Sequence, residues 1–177
     1  MSTTEDPKAI ANYFIELANG EGKPLTPLQI IKLVYIAHGW HLALTGVPLI
    51  NEPPEAWQYG PVIPSLYHAL KTYGNAPVTG KISDDRIQPG MRFQFVTQEI
   101  PTPADERIRA FLDSVWKGYK RFSGSQLSTM THQPGTPWHK TWEEQGAKYS
   151  KGVDIPEPLI REHYLELNDR YGKAAGK

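Results

Sequence analysis

The chain contains no cysteine, which removes disulfides, thiolate metal sites and cysteine nucleophiles at once. That usage fits a reducing compartment. It also has no excess of charge: nineteen Lys and Arg balance nineteen Asp and Glu, for a formal net charge of zero. Nucleic-acid binding draws on clustered basic residues that displace condensed counterions. The densest basic stretch here is Lys117-Gly-Tyr-Lys120-Arg121, too short for such a footprint. No apolar run approaches the ~18 residues of a membrane span, and the opening Met1-Ser-Thr-Thr-Glu-Asp-Pro7 is polar and acidic, unlike a secretory signal. The expected location is the cytoplasm, with neither membrane nor nucleic acid as a partner. A net charge of zero leaves little long-range repulsion, which favours a protein partner or a homo-oligomer.

Catalytic signatures are missing too. No serine sits in a G-x-S-x-G elbow, and neither G-x-x-x-x-G-K-[ST] nor G-x-G-x-x-G occurs. The histidines come nearest to a metal site: His38 and His41 are three apart, and His132 and His139 lie further on. H-x-x-H lacks the i,i+4 spacing and adjacent Glu of a metalloprotease helix. His38 shares a face with Ile31, Val34 and Leu42, so it reads as a satisfied core histidine. Asp84-Asp85 and Glu143-Glu144 stand in polar surroundings and read as solvated surface. The expectation is no catalytic residue, no metal and no cofactor. A metal-dependent hydrolase built on the histidines is the rival from another class.

What is present reads as one mostly α (α+β) domain over residues 1–177, with a core from about 6 to 171 and a frayed tail at 172–177. Asp6-Pro7 and Thr26-Pro27 each place a capping side chain before a proline at the first helical position. The first helix turns Ile10, Tyr13, Phe14 and Leu17 to one side and Lys8, Asn12, Glu16 and Asn19 to the other. The second, about 27–45, is apolar around most of its circumference, and such helices are buried. Only a stripe through Gln29, Lys32 and Gly39 looks solvated.

A small β-hairpin or short sheet is expected within Val47–Tyr59, closed by Gly60-Pro61-Val62. Pro64-Ser65 opens a third helix. Residues 75–101 are irregular, with only Met91–Phe95 alternating like a strand. Thr102-Pro103 with Asp105 reads as the start of a fourth helix facing Ile108, Phe111, Leu112, Val115, Trp116 and Tyr119 inward. Ser123 with Gln126 caps a short helix, Thr136-Pro137 starts another, and the last runs from about Pro156 to Tyr171.

Two proline-bearing loops, Trp57 to Val62 and His132 to Trp138, carry the aromatic residues Trp57, Tyr59 and Trp138. Such side chains serve as core plugs, and equally as the rigid anchors of protein interfaces. Both readings stand for Trp57 and Trp138. His132 offers either a polar contact or an internal pin. Prolines at 61, 134 and 137 restrict the loops, so less entropy is lost when a partner orders them. The candidate partner-binding set is Trp57, Tyr59, Gly60, Pro61, Val62, His132, Pro137 and Trp138.

Several blocks together resemble a known family. They are Leu28-Gln29, Lys32 to Ala37, Gly46 to Leu49, Glu55-Ala-Trp57, Gly60-Pro61-Val62 and Leu66-Tyr67. Later come Leu127 to His132, Pro137-Trp138, and Ile155 through Tyr164. In this order they resemble the Panacea domain of SocA-like and phage-associated GepA-like antitoxins, over roughly residues 6–171. The resemblance implies an α-rich fold with a small β element, and an antitoxin that neutralises a cognate toxin, encoded by a neighbouring gene, by binding it directly. An adaptor that delivers its bound partner to a protease is the alternative it implies. Residues 77–99 match no block of the family.

Overall fold

The computed structural model describes residues 4–87 and 95–175. The fold grows around its second helix. α1 (Pro7–Gly20) starts at Asp6, whose carboxylate accepts from Lys8 N–H, and α2 (Pro27–Thr45) starts in a capping box between Thr26 and Gln29. α2 ends at Gly46, whose φ of 75° is the left-handed conformation that closes helices. Ile30, Leu33, Val34, Ile36 and Ala37 on α2 are all buried. Around α2 pack α1, α3 (Pro64–Leu70), α4 (Glu106–Tyr119), α5 (Gly124–His132) and α7 (Glu157–Ala175). The short α6 (Pro137–His139) continues as a π turn through Lys140–Glu144.

Two antiparallel hairpins make up the β part among the described residues. β1 (Glu55–Trp57) pairs with β2 (Gly60–Val62) in the register Glu55 to Val62, Ala56 to Pro61 and Trp57 to Gly60. The free edge of β1 is covered by the segment before α7. Ala56 N–H donates to Val153 O and Ile155 N–H to Pro54 O, so this edge is not open to another strand. β3 (Ser83–Ile87) pairs with β4 (Phe95–Glu99) as a second, largely exposed hairpin. The architecture is therefore mostly α with a small β part.

Three inferences from helical spacing are corrected by tertiary packing. The stripe expected to face water on α2 is buried at Lys32 and Gly39. At Gly39 the reason is steric: an added Cβ would sit inside the ring of Tyr164 on α7, so the missing side chain is what lets α7 approach α2. Asn12, expected on the solvent side of α1, is also fully buried. Its amide accepts from Ile82 N–H (2.6 Å) and donates to Ile82 O (2.9 Å) and Ile100 O (2.8 Å). One side chain thus ties both roots of the β3–β4 hairpin to α1.

Element limits shift as well. Gly60-Pro61-Val62 is a strand of the first hairpin, not its closing turn. α4 begins after Asp105, whose carboxylate accepts from Arg107 N–H, and not at Thr102-Pro103. The expected strand at Met91–Phe95 meets the structure only at Phe95, the first residue of β4, because 91–94 lie outside the described residues. α7 continues to Ala175, so the tail expected from residue 172 is helical that far.

Candidate functional site

The β1–β2 hairpin is held by side chains from three helices that reach its backbone carbonyls. Lys32 Nζ on α2 donates to Pro61 O (2.9 Å) and Tyr59 O (3.2 Å). Ser128 Oγ on α5 donates to the same Tyr59 O (3.3 Å), and His132 Nε2 stands 3.3 Å from Gln58 O. Trp138 Nε1 on α6 donates to Trp57 O (2.7 Å). Each acceptor would otherwise need water.

Lys32 is the least expected of these groups. Its side chain is fully buried with no carboxylate in ion-pair range among the described residues. Burial alone pushes its pKa down to about 7, because the low-dielectric interior disfavours the ammonium. Gly60 explains how the hairpin comes so close. Its φ is +108°, and a Cβ there would collide with Lys32 Nζ and come within 3.2 Å of the His132 ring.

The eight candidate residues of the two loops do meet in space, in two layers. Gly60, Pro61, Val62, Pro137 and Trp138 are buried. Trp138 packs between His132 (ring centroids 4.0 Å apart) and Trp142 (5.9 Å). Tyr59, at the turn, is 72% exposed. Trp57 and His132 are half-buried between these layers. Trp57 donates its indole N–H to Glu55 Oε2 (2.7 Å) and meets the Tyr67 ring edge-on at 4.9 Å. Tyr67 on α3 is exposed, so Trp57 and Tyr67 form one aromatic patch, and Tyr59 projects from the turn of the same hairpin. Tyr67 was not among the candidates, although its place in the Leu66-Tyr67 block was a usable signal. Lys32 was missed because a lone lysine on an apolar helix reads as solvated.

The groups weighed for catalysis do not converge. His38 is buried as expected but not satisfied: neither ring nitrogen has a hydrogen-bond partner among the described residues. Burial first, and then the neighbouring His41, push its pKa down to about 4. His41 Nδ1 lies 2.8 Å from Val47 O, which can only accept, so Nδ1 carries the proton. No group of three or more His, Asp or Glu side chains is placed to hold a metal among the described residues. Ser114 and Lys117 have the S-x-x-K spacing, but Ser114 Oγ donates to Ala110 O (3.1 Å) on the exposed face of α4. No described helix is long and apolar enough to cross a membrane.

A mostly α scaffold that fixes a small hairpin and turns aromatic rings outward defines a class of small helical domains with an ordered loop surface. Within that class the chain belongs to the family described as antitoxin SocA-like, Panacea domain, whose profile matches residues 30–139. The matched segment holds Lys32, the whole hairpin, α5 and Trp138. The chain is also similar to Antitoxin SocA of Caulobacter vibrioides (strain NA1000 / CB15N), with 29% identity over 159 residues. That alignment covers 90% of this chain and 82% of the relative. No solved structure matches the chain.

Proposed function

We propose that the chain is an antitoxin that neutralises a toxin encoded beside it by binding that protein directly, with no chemical step of its own. Family membership supports the antitoxin role. The observation that carries the binding mechanism is the fixed hairpin: its carbonyls are met by Lys32, Ser128 and Trp138, while Tyr59 stands out from the turn. A loop already held in one conformation loses little entropy when a partner docks. Tyrosine and tryptophan give large contact area with few rotatable bonds, the profile of binding hot spots.

In this reading Trp57 and Tyr59 make the contact, with His132 at its border. Gly60, Pro61, Val62, Pro137 and Trp138 are the support that keeps the contact in place. Buried residues from every α-helix, α1 to α7, belong to one apolar core, α6 through Trp138, which supports treating the chain as a single domain. The test is growth. The neighbouring reading frame is expressed alone and together with this chain, as wild type and as Tyr59→Ala with Trp57→Ala. Rescue by the wild type and loss of rescue by a folded double variant is the expected result. Rescue without a stable complex overturns the binding mechanism.

A further inference from the structure

A cleft of about 740 Å³ lies between α2, the end of α4, the loop from Gln133 to Pro137, and α7. One wall is aromatic and rigid. Trp40 Nε1 donates to Tyr119 Oη (2.8 Å), and the Trp40 ring meets Tyr164 edge-on at 5.2 Å. Tyr35 also lines the cleft, and its buried hydroxyl has no hydrogen-bond partner among the described residues. Burial pushes that phenol further up from its ordinary value, so it stays protonated and is an unused donor. A buried donor without an acceptor is costly, and this one is closed off from the cleft by its burial.

The charged groups around the cleft are unequal in sign. Arg121, Lys140, Arg170, Glu166 and His163 line it. Glu166 has Arg170 at 3.8 Å, while neither Arg121 nor Lys140 forms an ion pair among the described residues. The carboxylates nearest Lys140 in sequence are engaged elsewhere: Glu143 pairs with Lys148, and Glu144 lies 3.4 Å from His139. Arg121 rests over the Phe122 ring at 4.9 Å. Burial holds His163 below its ordinary value, so it adds no charge at neutral pH. In a chain of zero net charge, this is a local excess of uncompensated cations beside an apolar cavity.

We infer that this cleft is a second docking site, one that takes an acidic peptide segment of the bound partner, with a large apolar side chain against Trp40 and Tyr164 and flanking carboxylates on Arg121 and Lys140. The inference rests on the reading of the chain as a binder of another protein. The cleft shares Pro137 with the hairpin support. Exposed charge pairs are screened by salt, so binding weakens as ionic strength rises.

The test needs no toxin. The full chain is titrated with acetyl-Glu-Phe-Glu-amide and with acetyl-Lys-Phe-Lys-amide at millimolar concentrations while the tryptophan indole N–H resonances are followed by NMR. The expected result is a saturable shift of Trp40 with the acidic peptide, reduced by salt and lost in Arg121→Glu/Lys140→Glu, with Trp57 unmoved. No Trp40 shift, an equal shift with the basic peptide, or an unchanged response in the charge-reversed variant overturns the inference. If the neighbouring protein fails to bind the chain while Trp40 responds, the antitoxin reading falls and the cleft stands. Binding of that protein without a Trp40 response removes the cleft alone.

Discussion

Lys32 Nζ donates to the Pro61 carbonyl at 2.9 Å from inside the core, 29 residues away in sequence. The contact joins the most buried helix to the hairpin that carries the candidate surface. Its pKa of about 7, down from 10.5, makes stability depend on pH. Between these values the unfolded chain holds a proton on Lys32 that the folded chain does not. Stability is therefore full above 10.5 and is lost as pH falls toward 7. His38 acts in the same sense lower down, from 6.5 toward about 4. Thermal melts between about pH 7 and 9 should show stability rising with pH in the wild type, and a flatter profile in Lys32→Met. Parallel profiles would show that Lys32 does not titrate in this window.

Gly39→Ala tests the approach of α7 to α2. The methyl group would enter the Tyr164 ring, and overpacking of this kind costs ~1–3 kcal/mol. A lowered melting temperature is expected, restored in part by Tyr164→Leu, which makes room. Full stability in Gly39→Ala would mean that α7 does not pack as closely as described.

Asn12→Ala removes the side chain that bonds to both Ile82 and Ile100. Each buried group left without a partner costs ~1–3 kcal/mol. The expected outcome is a less stable protein in which amide exchange at Ile82 and in the β3–β4 hairpin rises more than in α2. Asn12→Asp should be worse, since a carboxylate would face two carbonyl oxygens.

Tyr59 and Trp138 should separate contact from support. Tyr59 is 72% exposed, whereas Trp138 is 5% exposed and bonded to Trp57 O. Tyr59→Ala is expected to leave the melting temperature unchanged and to weaken partner binding. Trp138→Ala is expected to cost ~3–5 kcal/mol of stability, as large-to-small core changes do. Equal stability losses would remove the distinction between the two layers.

Much of the helical frame was legible because its signals are local. Asp6-Pro7, Thr26-Pro27 and Ser123 with Gln126 each announce a helix within four residues, and the near-continuous apolar surface of α2 announces its burial. What stayed hidden depends on distant partners. Lys32 is buried because carbonyls 27 and 29 residues onward accept its protons. Asn12 is buried because of carbonyls 70 and 88 residues away. Neither is visible in helical periodicity, which assigns polar residues to water. The two aromatic loops were legible as a candidate surface, but their layering was not. That Trp138 supports and Tyr59 projects follows from how α6 packs under the hairpin, which spacing does not encode.

The central claim is that this chain works by holding another protein through the hairpin surface. Calorimetric titration of the purified chain with the purified product of the neighbouring gene tests it most directly. The account predicts a saturable complex of fixed stoichiometry for the wild type, and at least ~2 kcal/mol weaker binding when Trp57 and Tyr59 are both alanine, as for hot-spot residues. No complex with the wild type, or wild-type affinity in a folded double variant, would contradict it.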